Sequence, residues 1–209
     1  MHFESGSTRE LSGELFKRIC AYRHRVFVET LKWNLPTRDG MELDQFDVAE
    51  TVYVVCHDDE GHLTGVARLL PTTRPYLLRD VFPQLLNGFA PPCSLDVWEL
   101  SRFVAMGFGN RATTALGQVS SPITIGLLRV AIACATARGA KRLITVSPIG
   151  VERLMRRAGF HSRRAGPPMI IDGRLLCACW IEPSADAAND DAAAVPQWRT
   201  PDNRIPLNG

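Results

Sequence analysis

No apolar run in this sequence approaches the roughly 20 residues that a membrane-spanning helix requires, so no membrane association is expected. Met1 to Ser12 is polar and lacks the apolar stretch of a secretory leader. The six cysteines (Cys20, Cys56, Cys93, Cys134, Cys177, Cys179) form no CxxC and no paired spacing. The expectation is therefore reduced thiols, buried as small hydrophobes in a cytoplasmic protein. Cys177-Ala178-Cys179 sets two thiols on one strand face, but zinc needs more ligands than lie nearby, and no metal is expected. There is no GxSxG, and the five histidines do not fall near a plausible nucleophile, which disfavours a Ser/His/Asp hydrolase. Neither GxxxxGKS/T nor GxGxxG is present, which disfavours phosphate-cradling enzymes. No internal repeat is found.

What is present fits one soluble domain. Hydrophobic content is 45% and charged content 22%, and 209 residues allow a sizeable core. The net charge of +2 conceals a polarised distribution. Nine acidic residues lie between Glu29 and Glu60, against Lys32 and Arg38. Between Arg138 and Arg174 nine basic residues stand against Glu152 and Asp172. Two solvated faces are the ordinary explanation; a cationic ligand at the front and an anionic partner at the back is the functional one. The basic run has no interleaved aromatics and no reader motif, so nucleic acid is not expected. From Pro183 the chain is low in large hydrophobes and punctuated by four prolines, which reads as a flexible tail over 183–209 after a domain of residues 1–182.

The pattern predicts a helix over Ser7 to Thr30, capped by Ser7 or Ser12, then an ordered loop from Leu31 to Phe46 folded over something. A hairpin follows (Thr51 to Cys56, Leu63 to Leu70), then a short helix from Leu77 to Leu86. Leu95 to Val104 reads as the central strand. After a loop from Gly107 to Gly117, Ser121-Pro122 starts a buried helix that Gly139 ends. Arg142 to Ser147 is a strand, Pro148 or Ile149 to Ala158 a helix, and Met169 to Ile171 and Leu175 to Ile181 are short strands. Their sum is a predominantly antiparallel sheet with helices on both faces, an α/β or α+β fold.

The central strand carries two awkward charges. Alternation puts Leu95, Val97, Glu99, Ser101 and Phe103 on one face, and Asp96, Trp98, Leu100, Arg102 and Val104 on the other. A buried, unpaired carboxylate or guanidinium costs several kcal/mol, so Glu99 and Arg102 are either partnered or line a cleft. Local packing also leaves Arg23, Asp44, Asp47 and Arg68 unexplained. Singly each has a dull account, as a turn residue, a snorkelling arginine or a hairpin pair. Together, with Phe27, Trp33, Phe46 and Phe82 among them, they suit a compact zwitterionic or cationic ligand. Acyl transfer to an amine needs only a base for the ammonium proton, donors for the oxyanion and a groove for the acyl chain.

These residues resemble the acyl-homoserine lactone synthases, which make bacterial quorum-sensing signals. The likeness is carried by Arg23-x3-Phe27-x5-Trp33, Glu42-Leu43-Asp44-Gln45-Phe46-Asp47, Arg68, Phe82 and Glu99-Leu100-Ser101-Arg102-Phe103, in that order. It runs from about Leu11 to Ile181. The resemblance implies an N-acetyltransferase-like fold without the usual pyrophosphate loop, since no RxxGxG/A stretch precedes Ser121. It implies an acyl carrier protein as donor and S-adenosylmethionine as a substrate, with no separate cofactor. Amide formation would be followed by lactonisation, releasing 5′-methylthioadenosine and holo-carrier protein.

On this reading Glu99 is the base, acting through a water. Asp44, Asp47, Arg23 and Arg68 order the loop and position the methionyl part. Phe27, Trp33 and Phe82 wall the pocket, with Ser101 also touching substrate. Arg102 belongs to the acyl side or to the same charge network. The acyl chain lies near Phe103, Thr145 and Met155, and Arg153, Arg156 and Arg157 dock the carrier protein. A β-bulge between Trp98 and Phe103 is expected, because regular alternation cannot turn Glu99 and Arg102 into one cavity. The rival readings are an N-acyltransferase using acyl-coenzyme A and a non-catalytic module that binds a nucleoside-like ligand.

Overall fold

A strand that the pattern did not announce begins the chain: β1 (His2–Ser7) pairs antiparallel with β4 (Val52–His57) at the sheet edge. Its sequence, HFESGS, has no apolar alternation, and only Gly6 of it is fully buried. The expected helix from Ser7 is therefore shorter. Ser12 is the cap, its Oγ accepting the Leu15 N–H at 3.1 Å, and α1 spans Gly13–Arg23. From His24 to Thr30 the chain winds on as a π-helix, closed by Leu31 N–H to Val26 O at 2.9 Å. The structure, a computed structural model, describes residues 1–108 and 122–183.

The segment expected as a loop contains a small hairpin, β2 (Thr37–Arg38) against β3 (Met41–Glu42). Asp39 and Gly40 turn it with φ of 51° and 72°. Two successive positive φ values are the Asp-Gly hairpin signature. The larger hairpin is as expected, β4 and then β5 (Leu63–Pro71). The helix expected over Leu77 to Leu86 is divided into α2 (Leu77–Asp80) and a 3₁₀ turn (Pro83–Leu86). Pro83 has no N–H to continue the first helix and steers Phe82 away from helical geometry.

The central strand, β6, is Val97–Ala105; Leu95 lies outside it and is 76% exposed. Next come α3 (Pro122–Thr136), β7 (Arg142–Pro148), α4 (Ile149–Arg157), β8 (His161–Arg164), β9 (Met169–Ile171) and β10 (Arg174–Glu182). The Ser121 cap, the loop beyond Phe108 and the tail beyond Pro183 lie outside the described residues. The eight-stranded sheet runs β1-β4-β5-β6-β7-β10-β8, with β9 on β10. Among the described residues only β6 and β7 pair in parallel and the other pairings are antiparallel, in line with the predominantly antiparallel sheet expected.

Helices cover both faces. Leu127, Leu128 and Ala131 of α3 and Met155 of α4 bury one face with Leu69, Leu100, Leu143 and Cys179. Leu15, Ile19, Tyr22 and Val26 pack the other face against Tyr53, Val55 and Val66. Beyond them Phe46, Leu70, Tyr76, Leu78 and Leu85 form a third cluster under α2. Five cysteines are buried and Cys93 is exposed, none in a disulfide. Cys177 and Cys179 share one strand face, their sulfurs 3.5 Å apart.

Two irregularities in β6 position the site. Arg68 pairs with Ser101 and Val66 with Val104, so two steps on β5 match three on β6. Arg102 and Phe103 together face Ala67, a β-bulge, and Arg102 has φ 48°. A non-glycine residue there costs about 1 kcal/mol or more, so surrounding contacts must hold it. The expected bulge is therefore present. It also reverses the last residues: Phe103 packs toward α3, and Val104 joins the α1 side. Simple alternation had placed Phe103 with Glu99 and Val104 opposite; the extra residue inverts that. On its other side, β6 stops pairing at Leu100–Thr145, while β7 continues along β10 as far as Pro148. The two parallel strands thus splay beyond that point.

Candidate active site

On the α1 face, neighbouring strands put Tyr53, Arg68 and Ser101 side by side, with Glu99 two residues along β6 from Ser101. The last turn of α1 adds Arg23, and the chain following β3 adds Asp44 and Asp47. The bulge turns Arg102 onto the same face. Six side chains form one buried cluster. Arg23 donates through Nε to Glu42 at 2.5 Å, and through Nη1 and Nη2 to Asp47 at 2.8 and 3.0 Å. Arg68 Nη1 donates to Asp44 at 2.6 Å and to Asp47 at 2.8 Å. Arg102 Nη2 reaches Glu42 at 2.9 Å and Asp44 at 2.8 Å. Three guanidinium groups meet three carboxylates, a formally neutral set with side chains no more than 5% exposed.

Buried pairs of this kind contribute little net stability, because desolvation consumes most of the Coulombic gain. Six of them in one place therefore point to function. Burial alone would raise the pKa of Asp47, but the Arg23 guanidinium beside it, with Arg68, holds it well below the carboxylate range. Glu42 likewise stays low despite burial, through Arg102 and Arg23. The Tyr53 hydroxyl donates to Asp47 and accepts from Arg23 Nη1 at 3.0 Å; burial keeps it protonated.

Glu99 behaves differently. It is fully buried, and its oxygens accept the N–H groups of Leu77 at 2.9 Å and Leu78 at 2.6 Å, where α2 begins. Burial pushes its pKa up to about 7, against the lowering effect of those N–H groups and of Arg68 and Arg102. It is therefore poised to exchange a proton near neutral pH and, at the same time, ties α2 to the central strand.

All six charged residues singled out from the sequence (Arg23, Asp44, Asp47, Arg68, Glu99, Arg102) come together here, and Arg102 falls in the charge network. Phe27 and Trp33 lie 5.0 Å apart between ring centroids, and the Arg102 guanidinium is 5.7 Å from the Phe27 ring. Phe82 is half-buried and packs with the α2 cluster instead. Ser101 accepts from Arg68 Nε at 3.0 Å. Phe103, Thr145 and Met155 lie on the opposite, α3 side of the sheet, where Thr145 Oγ1 is 3.3 Å from Ser147 Oγ. Arg153, Arg156 and Arg157 are exposed on α4; Arg156 pairs with Glu152 at 3.2 Å, and Arg164 with the same carboxylate at 3.0 Å.

Two participants were missed. Glu42 stands in the acidic motif, but only the β2–β3 hairpin shows that it points inward beside Arg23. Tyr53 sits in a strand whose six residues are all buried, so no alternation marked its hydroxyl. Among the described residues, the one cluster with metal-ligand spacing is Asp58, Glu60 and His62, at the β4–β5 turn away from this site.

The family model described as Autoinducer synthase matches residues 7–190. An acyl-homoserine-lactone synthase of Acinetobacter nosocomialis is 53% identical over 182 residues, covering 87% of this chain and all of the relative. A crystal structure of TofI in a ternary complex with an inhibitor and MTA aligns at TM-score 0.76 and 45% identity, covering 87% of this chain and 91% of that one. BjaI, described as a CoA-dependent acyl-homoserine lactone synthase with SAM and isopentyl-CoA, aligns at TM-score 0.76 and 23% identity, over 88% and 84% of the two chains; that likeness is one of fold.

Proposed function

The chain belongs to the autoinducer synthase family and is an acyl-homoserine-lactone synthase, and from that premise we propose that it joins S-adenosylmethionine to an acyl chain delivered by acyl carrier protein. The observation that carries this reading is the buried cluster of three arginines and three carboxylates beside Glu99. S-adenosylmethionine brings a sulfonium, an ammonium and a carboxylate, and a site with paired charges of both signs can exchange partners with each. The synthase unit is residues 1–182, with 183–209 as a tail. The enzyme works in the cytoplasm, where both substrates are made.

The amine is a nucleophile only after losing a proton. Glu99 takes that proton through a water, and its pKa of about 7 supports the assignment, since a base works best when its pKa lies near the working pH. Arg23, Arg68, Asp44 and Asp47 hold the methionyl part still, which converts an encounter into a positioned attack. Phe27 and Trp33 present aromatic faces to the cationic ligand, while Phe82 shapes the wall beneath α2. Arg102, fixed by Glu42 and Asp44, keeps the bulge in place.

The gap where β6 and β7 part supports a path for the acyl chain through the sheet to Phe103, Thr145 and Met155. The amine then attacks the thioester carbonyl, the thiol leaves, and an amide remains. Ring closure follows as the carboxylate displaces the thioether from the γ-carbon.

Two observations favour a carrier protein as donor over free coenzyme A. No pyrophosphate-binding stretch precedes residue 121, and α4 presents Arg153, Arg156 and Arg157 to solvent as an acid-seeking face. BjaI keeps the coenzyme A alternative in view. The test is to incubate the protein with S-adenosylmethionine and either acyl-carrier or acyl-coenzyme A thioesters of graded length, reading products by mass spectrometry. Lactone at lower KM from the carrier thioesters supports the proposal; equal or better use of coenzyme A thioesters rejects the donor assignment.

A further inference from the structure

The turn that carries Trp33 is held from across the sheet. Leu31 and Lys32 follow the π-helical stretch, and Lys32 takes φ 56° before the Trp33 N–H closes onto Phe27 O at 2.8 Å. A non-glycine residue in the left-handed region persists only where neighbouring contacts hold it. Arg174 supplies such contacts. Its Nη2 donates to the carbonyl oxygens of Leu31 at 3.4 Å and Lys32 at 3.1 Å. The same guanidinium lies 5.4 Å from the centre of the Trp33 ring.

Arg174 is itself firmly placed. Asp172 and Gly173 turn β9 into β10 with φ of 48° and 72°, a tight two-residue hairpin, and Arg174 is the first residue of β10, opposite Ile171. It alternates with Leu176 and Ala178, which pack in the α2 cluster, so it shares their face of the sheet. β6 stops pairing with β7 at Leu100–Thr145, whereas β10 follows β7 to Leu176–Pro148. Arg174 therefore stands on the far side of the gap. Leu31 and Trp33 belong to the near side, where they pack against the α1 cluster. Their contact with Arg174 bridges the two halves of the sheet at the end where these splay.

Both hydrogen bonds end on main-chain oxygens just after a helical segment, a position that suits a guanidinium. A tether for stability alone needs no aromatic partner. Here the guanidinium also meets the ring that lies 5.0 Å from Phe27, and Phe27 in turn lies 5.7 Å from the Arg102 guanidinium. Cation and ring alternate from Arg102 through Phe27 and Trp33 to Arg174. We propose that Arg174 is a positioning residue for the amine substrate, fixing the Trp33 ring in its binding orientation before the ligand arrives. The inference rests on the reading of Trp33 as a wall of the S-adenosylmethionine site. A ring already immobilised adds no ordering cost at binding, whereas a ring on a loose turn does. The acyl path proposed above ends on the α3 side, away from this turn, so donor affinity is independent of the tether.

The experiment compares wild type, Arg174→Ala, Arg174→Lys, Trp33→Ala and the double variant Arg174→Ala, Trp33→Ala. Calorimetry measures binding of S-adenosylmethionine, and steady-state kinetics measure KM for the acyl thioester. Arg174→Ala should weaken S-adenosylmethionine binding about tenfold, which is about 1.4 kcal/mol, and leave KM for the acyl thioester unchanged. Arg174→Lys, whose ammonium can still donate to both carbonyl oxygens and face the ring, should recover most of the affinity. In the Trp33→Ala background, Arg174→Ala should cause no further loss, because the two residues act as one unit. Fully additive losses, an equal rise in KM for the acyl thioester or unchanged S-adenosylmethionine affinity would each overturn the proposal and leave Arg174 a structural tether. The substrate split and the lysine rescue decide the matter even if Trp33→Ala does not fold. A wild-type protein that does not bind S-adenosylmethionine is a separate outcome, which overturns the substrate reading and this inference with it.

Discussion

Asp47→Asn removes one charge from the centre of the cluster while preserving shape. In the wild type this carboxylate accepts from Arg23 Nη1 and Nη2 at 2.8 and 3.0 Å, from Arg68 Nη1 at 2.8 Å, from the Asp44 N–H at 2.8 Å and from Tyr53. Every donor faces an oxygen, so either orientation of an asparagine amide sets its N–H₂ against other donors. Two buried arginines also lose one of their two counter-charges each, Arg23 keeping Glu42 and Arg68 keeping Asp44. Removing one partner of a buried pair costs about 3–5 kcal/mol. At about 2–4 °C per kcal/mol for a chain of this size, the melting temperature should fall by roughly 6–20 °C. Urea unfolding followed by circular dichroism measures the loss as a shift in midpoint at constant slope.

The acid limb gives an independent check. Asp47 is held below its unfolded pKa of about 3.9, so its contribution is fully present above that pH and is lost as pH falls toward the folded pKa. The variant should therefore be less stable at pH 7 and show a shallower decline below pH 4. A loss under about 1 kcal/mol, or an unchanged acid profile, would refute the picture of an interlocked cluster.

Glu99→Gln should lower kcat by about 10²–10⁴-fold, the usual contribution of a general base, and abolish the rise of wild-type kcat with pH through about 7; a retained limb assigns the base elsewhere. The double reversal Arg153→Glu, Arg157→Glu should raise KM for acyl-carrier substrates several-fold and leave KM for S-adenosylmethionine unchanged, with the difference shrinking in high salt. Equal effects on both substrates count against a docking role. Gly166→Ala should destabilise by about 1–3 kcal/mol in a thermal melt, because an added Cβ would overlap the Leu85 carbonyl oxygen and force the backbone apart. A neutral result would mean that the 3₁₀ turn yields freely.

The charges were legible because an ionisable side chain inside an apolar run is costly unless it has a task. Glu99 and Arg102 marked the site from β6 alone, and their conflict with simple alternation pointed to the bulge. Other features left weaker traces. The π-helical stretch His24–Thr30 continues the apolar spacing of α1, so periodicity could not separate them. β1 is stabilised by backbone pairing to β4 and not by an apolar pattern, which hid it. The direction of Glu42 depends on a four-residue hairpin pairing, and Tyr53 matters through one oxygen atom. Phe103 was misplaced for the reason that made Arg102 useful: one extra residue reverses every face after it.

The central claim is that one substrate is split in two, its 2-aminobutyrate chain entering the lactone and its methylthioadenosine part leaving. S-adenosylmethionine labelled with ¹³C in the four carbons of its 2-aminobutyrate chain, and not in the S-methyl group, incubated with the protein and an acyl-carrier thioester, tests this directly by mass spectrometry. The account predicts labelled acyl-homoserine lactone and unlabelled 5′-methylthioadenosine in equal amounts. Acyl transfer without methylthioadenosine, or a lactone free of label, would contradict it.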